Sequence, residues 1–77
     1  MKADVADRST SRVRRALVQD VLPSELFLLR LEGDGGLLRA HLSGEMRLHN
    51  VRLLPGTRVE VEVSPFDPSR GRILSVL

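Results

Sequence analysis

The sequence contains no cysteine, no tryptophan and no tyrosine, and it has only two phenylalanines. Without cysteine, neither a disulfide bond nor a thiolate metal site can stabilise the chain, and this composition fits a reducing compartment. With so few aromatic side chains, the chain cannot present a row of rings on which successive bases of a single strand would stack.

Long apolar runs are also missing. No segment approaches the roughly 18–20 residues that a membrane-spanning helix needs. The first seven residues, MKADVAD, have no apolar core of the kind found in a secretory signal. We therefore expect a cytoplasmic protein that makes no membrane contact.

Groups typical of catalytic or metal sites are scarce. The two histidines, His41 and His49, lie eight positions apart with no neighbouring pair of carboxylates, which is not the spacing of metal ligands. The glycine-rich segment 33–36 lacks the lysine and the serine or threonine of a phosphate-binding loop, and it joins two predicted strands. The sequence therefore predicts a protein that is not an enzyme and uses no cofactor and no metal.

What the chain does have is a small size and an excess of arginine. At 77 residues it forms one small domain, for which a closed β-barrel is an economical solution because closure removes the sheet edges. The chain has 12 lysine and arginine residues against 10 acidic ones, and all but one of the 12 are arginine. A guanidinium pairs with phosphate and stacks on bases, whereas scattered arginines also occur on ordinary solvated surfaces.

Alternating apolar residues and turn-forming residues predict five strands. The clearest strand is 58–63, where valines alternate with charged residues. Proline and glycine place turns or loops at 23–24, 33–36, 54–57 and 65–71. Ser43 is placed to cap a short helix, of α or 3₁₀ type, that ends near residue 48. The predicted strands are 13–22, 26–32, 37–42, 58–63 and 72–77.

Five strands with a short helix between the third and the fourth are the arrangement of an oligonucleotide-binding (OB) barrel. We therefore predict an all-β OB domain over residues 12–77, preceded by a disordered tail at 1–11 that has little apolar content. Leu26 and Leu28 give the second strand an apolar outer face, which is a candidate contact surface. Phe66 fits a core position and an exposed stacking position equally well.

Two motifs carry a resemblance to a known family. Residues 41–47 read HLSGEMR, and residues 71–73 read GRI. Together with Phe27 and Arg52 at matching separations, they make the chain, from about residue 18 to residue 73, similar to bacterial translation initiation factor one. Members of that family have an S1-like OB fold.

The resemblance implies a non-enzymatic factor that binds the small ribosomal subunit at the aminoacyl-tRNA decoding site and blocks premature entry of tRNA. The implied partners are the rRNA of the small subunit, the initiator-tRNA-binding GTPase factor and the anti-association factor, and we expect the chain itself to be a monomer. The implied rRNA contacts, with His41 contacting or supporting, are His41, Ser43, Gly44, Met46, Arg47, Arg52, Arg70 and Arg72.

Departures from the family pattern leave two alternatives open. Glu45 stands where the family usually has lysine, and Leu48 stands where a basic residue is common. These departures favour a divergent paralogue that acts as a general RNA-binding or RNA-chaperone module, since a carboxylate repels phosphate. The second alternative is a barrel that binds a partner protein through the face formed by Leu26 and Leu28.

Overall fold

The computed structural model describes residues 12–77 and contains five strands and one helix. The strands are β1 (Val13–Leu22), β2 (Leu26–Leu31), β3 (Leu37–Leu42), β4 (Arg58–Val63) and β5 (Arg70–Val76). The helix, α1 (Gly44–Leu48), lies between β3 and β4. Residues 1–11, for which the sequence predicts a disordered tail, lie outside the described residues. Across 12–77, no helix has the length and apolar content needed to cross a membrane.

The strands close into a barrel in the order β1-β2-β3-β5-β4. Neighbouring strands are antiparallel except β3 and β5, which run parallel. A parallel pair needs a long crossover connection, and here the crossover contains α1 and β4. A closed five-stranded barrel with a helix between the third and fourth strands is the OB fold, so the predicted architecture is confirmed.

The last strand begins two residues earlier than the sequence predicts, because Gly71 is a strand residue rather than a turn residue. Gly71 pairs with Ala40 on β3. A Cβ at position 71 would lie 2.8 Å from Leu38 Cδ1 and 2.9 Å from the backbone oxygen of Glu62. Glycine is found inside strands where another backbone approaches this closely. The absence of a side chain at position 71 therefore lets β5 approach the backbone of β4 while Leu38 of β3 packs against it.

The core is formed by the inward-facing side chains of all five strands. In β4 the predicted alternation is confirmed for Val59 and Val61, which are fully buried. Leu29, Leu38 and Ile73 are the largest fully buried side chains, and each such side chain stabilises the fold by about 1.5–3 kcal/mol relative to exposure. The barrel is therefore held together by aliphatic packing.

Helix α1 is only five residues long, and its position is fixed by contacts at its start. The backbone N–H of Met46 donates to Ser43 Oγ at 3.2 Å, which is the predicted cap. The backbone N–H of Ser43 donates to the carbonyl oxygen of Ile73 on β5 at 2.9 Å. Because so short a helix is not stable alone, these contacts determine where α1 lies relative to β3 and β5.

Three surface carboxylates stabilise loops of the barrel. Arg58 donates to both carboxylate oxygens of Glu32, at 2.9 and 3.3 Å, and this hydrogen bonding lowers the pKa of Glu32. The backbone N–H of Gly36 donates a hydrogen bond to the Asp34 carboxylate and lowers its pKa. The hydroxyl of Ser69 donates to Asp67 and lowers the pKa of that carboxyl. All three carboxyls therefore favour their charged form in the folded chain.

Acid is expected to destabilise the barrel through these groups. Because their folded-state pKa values lie below the ordinary values of about 4.5 for Glu and 3.8 for Asp, their contribution is complete above about pH 4.5 and is lost as the pH falls through the lowered pKa values. Urea unfolding across this range should show a falling free energy of unfolding, with a weaker dependence in Glu32→Gln. A free energy that stays constant on acidification would contradict these hydrogen bonds.

Candidate nucleic-acid interface

Four basic residues lie side by side on the outer face of β3 and β5. In the parallel register, Arg39 is the Cα partner of Arg70, and His41 is the partner of Arg72. All four are exposed, because successive strand residues point to opposite faces and the residues between them face the core. We call Arg39, His41, Arg70 and Arg72 the basic wall.

Two of the three arginines of the basic wall are paired with carboxylates. Arg72 forms an ion pair with Glu62, its cross-strand partner on β4. Arg70 Nε lies 3.5 Å from Asp67 Oδ2. Arg39 has no carboxylate partner within residues 12–77. A phosphate that binds Arg39 therefore displaces no ion pair formed in this part of the chain.

Arg47 and Arg52 lie on a separate feature, which we call the end groove. This groove has a volume of about 990 Å³ and is lined by residues of β1, β2, the end of β3, α1 and the segment before β4. Seven of its eleven lining residues are apolar, and its charged residues are Glu25, Arg47 and Arg52. Arg47 Nη2 lies 3.8 Å from Glu25 Oε1, so one guanidinium is loosely paired across the groove.

Residues 41–47 connect the basic wall to the end groove. The first of them, His41, belongs to the wall, and the last, Arg47, lines the groove. Between them, the hydrogen bond from Ser43 to Ile73 joins the start of α1 to β5. The predicted arginines therefore form two groups that adjoin through the start of the helix, rather than one cluster.

The remaining predicted contacts, Ser43, Gly44 and Met46, differ in how far each residue is exposed to solvent. Gly44 is exposed, and nothing lies within 4 Å of the position a Cβ would take there, so the fold does not require glycine. Ser43 is half-buried and uses its hydroxyl in the cap. Met46 is only 6% exposed and packs in the core. Its side chain therefore has almost no surface to offer to RNA, and its contribution to the site is the position of α1.

Two exposed residues beside these groups are absent from the predicted contacts. Arg39 shares the outer face of β3 with His41, and strand alternation is the signal that indicates it. Phe66, which the sequence leaves open between core and surface, is 94% exposed in the loop before β5. By contrast, Leu26 and Leu28 are half-buried, so the apolar face expected on β2 is smaller than the sequence indicates.

No protein-family model matches the chain. Among solved structures, the chain is similar to translation initiation factor one from the Wolbachia endosymbiont strain TRS of Brugia malayi, with 30% identity and a TM-score of 0.69 over 95% of this chain and 87% of that chain. It is also similar to YjeQ from Thermotoga maritima, with 31% identity and a TM-score of 0.68 over 84% of this chain but 22% of that chain. The first similarity extends over most of both chains. The chain therefore belongs to the family of translation initiation factor one.

Proposed function

We propose that this protein acts in translation initiation by binding the small ribosomal subunit at the aminoacyl-tRNA decoding site through rRNA contacts. Membership of the family supports this role, and the basic wall is the main observation that supports binding to rRNA. Three arginines and a histidine face outward from adjoining positions on two strands. Guanidinium groups bind phosphate oxygens through paired hydrogen bonds, and such contacts position a protein on a nucleic acid.

The end groove supplies the second set of contacts in this proposal. Arg47 and Arg52 both lie on its lining, and α1, which carries Arg47, is held against β3 and β5. Phosphates that bind both the basic wall and the groove must reach two separate features of the surface, which suits a folded RNA. Folded RNA is recognised by its shape and backbone, and this matches a chain with one buried and one exposed phenyl ring.

The proposed activity is occupation of a site and needs no covalent step. A barrel that is bound at the decoding site excludes tRNA from the same space, so the affinity and position of the barrel determine its effect. The initiator-tRNA-binding GTPase factor and the anti-association factor act on the same subunit in this proposal, and the chain acts as a monomer in the cytoplasm.

A titration at two salt concentrations tests the proposal. Binding of the labelled chain to purified small subunits is measured at 50 and 200 mM salt. With four or five phosphate contacts, counterion release should lower the affinity about 50- to 500-fold between these concentrations. An affinity that does not change with salt would contradict an rRNA interface and would favour a protein contact instead.

A second candidate function is a general RNA-binding or RNA-chaperone module without a ribosomal role. The observation that favours it is the pairing of site arginines with Glu25, Glu62 and Asp67, together with the exposed Glu45 in the first turn of α1. These carboxylates weaken the positive potential that attracts phosphate. This candidate predicts measurable affinity for a ten-nucleotide single-stranded RNA and little affinity for small subunits, so the two titrations separate the candidates.

Removing the carboxylate that pairs with Arg72 is expected to strengthen rRNA binding. Glu62→Gln frees the guanidinium, and because a surface ion pair contributes at most about 1 kcal/mol, affinity for small subunits should rise by up to about fivefold. Glu60→Gln is the matched control on the same strand. Glu60 accepts a hydrogen bond from the Ser75 hydroxyl and pairs with no arginine within residues 12–77. Equal affinities for the two variants would show that the ion pair with Glu62 does not oppose phosphate binding by Arg72.

A further inference from the structure

The loop between β4 and β5 holds one aromatic side chain out in solvent. Phe66 is the most exposed large apolar side chain among residues 12–77, whereas Phe27 is buried in the core. Contact of a phenyl ring with water is unfavourable. An occupant that covers this ring therefore gains binding free energy without disturbing the packing of the barrel.

The backbone of this loop is fixed by its own hydrogen bonds. Ser64 Oγ accepts from the backbone N–H groups of Phe66 and Asp67, at 3.1 and 3.2 Å. Asp67 Oδ1 accepts from the N–H and the hydroxyl of Ser69, at 3.0 and 2.6 Å. The N–H of Ser64 donates to the carbonyl oxygen of Arg70 at 2.9 Å and closes the loop. The ring is thus presented by a preformed backbone, which lowers the entropy lost on binding.

Two arginines lie at the base of this loop. Arg70 is exposed, and its Nε lies 3.5 Å from the carboxylate of Asp67, the residue that follows Phe66. The backbone N–H of Arg39 donates to the carbonyl oxygen of Ser69 at 2.9 Å, so its strand position adjoins the loop. Asp67 carries one negative charge and the two arginines carry two positive charges, so these three groups leave a net charge of +1 at the base of the loop.

We propose that Phe66, Arg39 and Arg70 form a site for one unpaired nucleotide of RNA, with the base stacked on the phenyl ring and the flanking phosphates bound by the two guanidinium groups. A duplex keeps its base faces covered, so only an unpaired nucleotide can stack on the ring. An apolar protein surface would cover the ring but would leave the arginines unpaired, whereas a nucleotide supplies both a stacking face and phosphates, which favours RNA as the occupant. This proposal rests on the proposed function, and it specifies that the rRNA at the basic wall includes an unpaired nucleotide.

The Phe66→Trp variant of the full chain tests the site directly, because the chain contains no tryptophan or tyrosine of its own. The emission of this variant is measured during titration with purified small subunits and, separately, with a ten-nucleotide RNA of mixed sequence. A base that stacks on the indole should quench its emission in both titrations. Leu77→Trp is the control: Leu77 is exposed beyond the other end of β5, roughly 20 Å from Arg70, and its emission should not change.

Affinities provide the second readout. Phe66→Ala and Phe66→Leu should each weaken binding to small subunits about 5- to 100-fold, since both remove the stacking platform. The salt dependence should stay the same, because neither change removes a phosphate contact. Phe66→Trp should bind at least as tightly as the parent chain, and thermal unfolding of all three variants should be unchanged because the ring packs against nothing in the core.

The outcomes separate this site from the proposed function. Wild-type affinity in Phe66→Ala, or no quenching in either titration, overturns the site, and continued binding to small subunits would leave the proposed function standing. A blue shift without quenching, seen with small subunits alone, means that a protein covers the ring and also overturns the site. Quenching by the RNA without any binding to small subunits would keep the site and contradict the ribosomal function.

Discussion

Charge reversal at Arg47 or at Arg52 is expected to abolish binding to small ribosomal subunits while leaving the barrel folded. Both side chains line the end groove. Each reversal removes a phosphate contact and places a carboxylate against phosphates, and like charges that face each other across an interface cost several kcal/mol. The affinity should therefore fall by more than about 100-fold. Co-sedimentation with purified small subunits measures this loss.

Both arginines are exposed, so the core of the barrel does not depend on their packing. The ion pair between Arg47 and Glu25 spans 3.8 Å, and both side chains are more than half exposed. Arg15→Glu is the matched control, because Arg15 is exposed on β1, outside the wall and the groove, and the change in net charge is the same. Unchanged co-sedimentation of Arg47→Glu and Arg52→Glu would refute the groove as a contact. Equal loss in Arg15→Glu would show that net charge alone governs binding.

Gly71→Ala is expected to cause a large loss of stability, although it adds only one methyl group to β5. The added methyl group would meet Leu38 Cδ1, Val61 Cγ2 and the backbone oxygen of Glu62, all within 2.9 Å. The backbone oxygen cannot rotate away, so β4 and β5 must separate. Overpacking of this kind costs about 1–3 kcal/mol, which for a domain of this size lowers the melting temperature by about 5–20 °C.

Thermal and urea unfolding, followed by circular dichroism, measure the effect of Gly71→Ala. Gly44→Ala is the control, because a Cβ at position 44 meets nothing within 4 Å, and its melting temperature should stay within a few degrees of the parent chain. Gly71 also separates Arg70 from Arg72 on β5, so the destabilised variant should bind small subunits more weakly. A melting temperature equal to that of the parent would contradict the close approach of β3, β4 and β5 at this position.

The strands were predictable where local patterns determine them. β1, β3 and β4 have the bounds that alternation and turn residues indicate, and Ser43 caps the helix as its position suggests. The start of β5 was not predictable, because glycine favours turns and also permits close backbone approach. Only the packing of Leu38 and the backbone of Glu62 around Gly71 decides between these two uses.

The sequence indicates which positions belong to the site, but it does not indicate how their side chains are arranged in space. The resemblance identifies His41 and Arg72 as candidates, but their neighbouring positions depend on the parallel register of β3 and β5. That register pairs segments far apart in the chain, and no local pattern encodes it. The inward orientation of Met46 was also hidden, since a five-residue helix is too short to show a periodic apolar face. The exposure of Phe66 could be established only from the loop geometry, because proline and serine neighbours indicate a turn without indicating which side chains point outward.

A cryo-electron microscopy reconstruction of the chain on the small ribosomal subunit is the most direct test of the claim that the outer face of β3 and β5 binds rRNA. We expect rRNA phosphates within hydrogen-bonding distance of the guanidinium groups of Arg39, Arg70 and Arg72, and further rRNA contacts at the end groove. A reconstruction in which β1 and β4 face the rRNA while the basic wall faces solvent would contradict the claim.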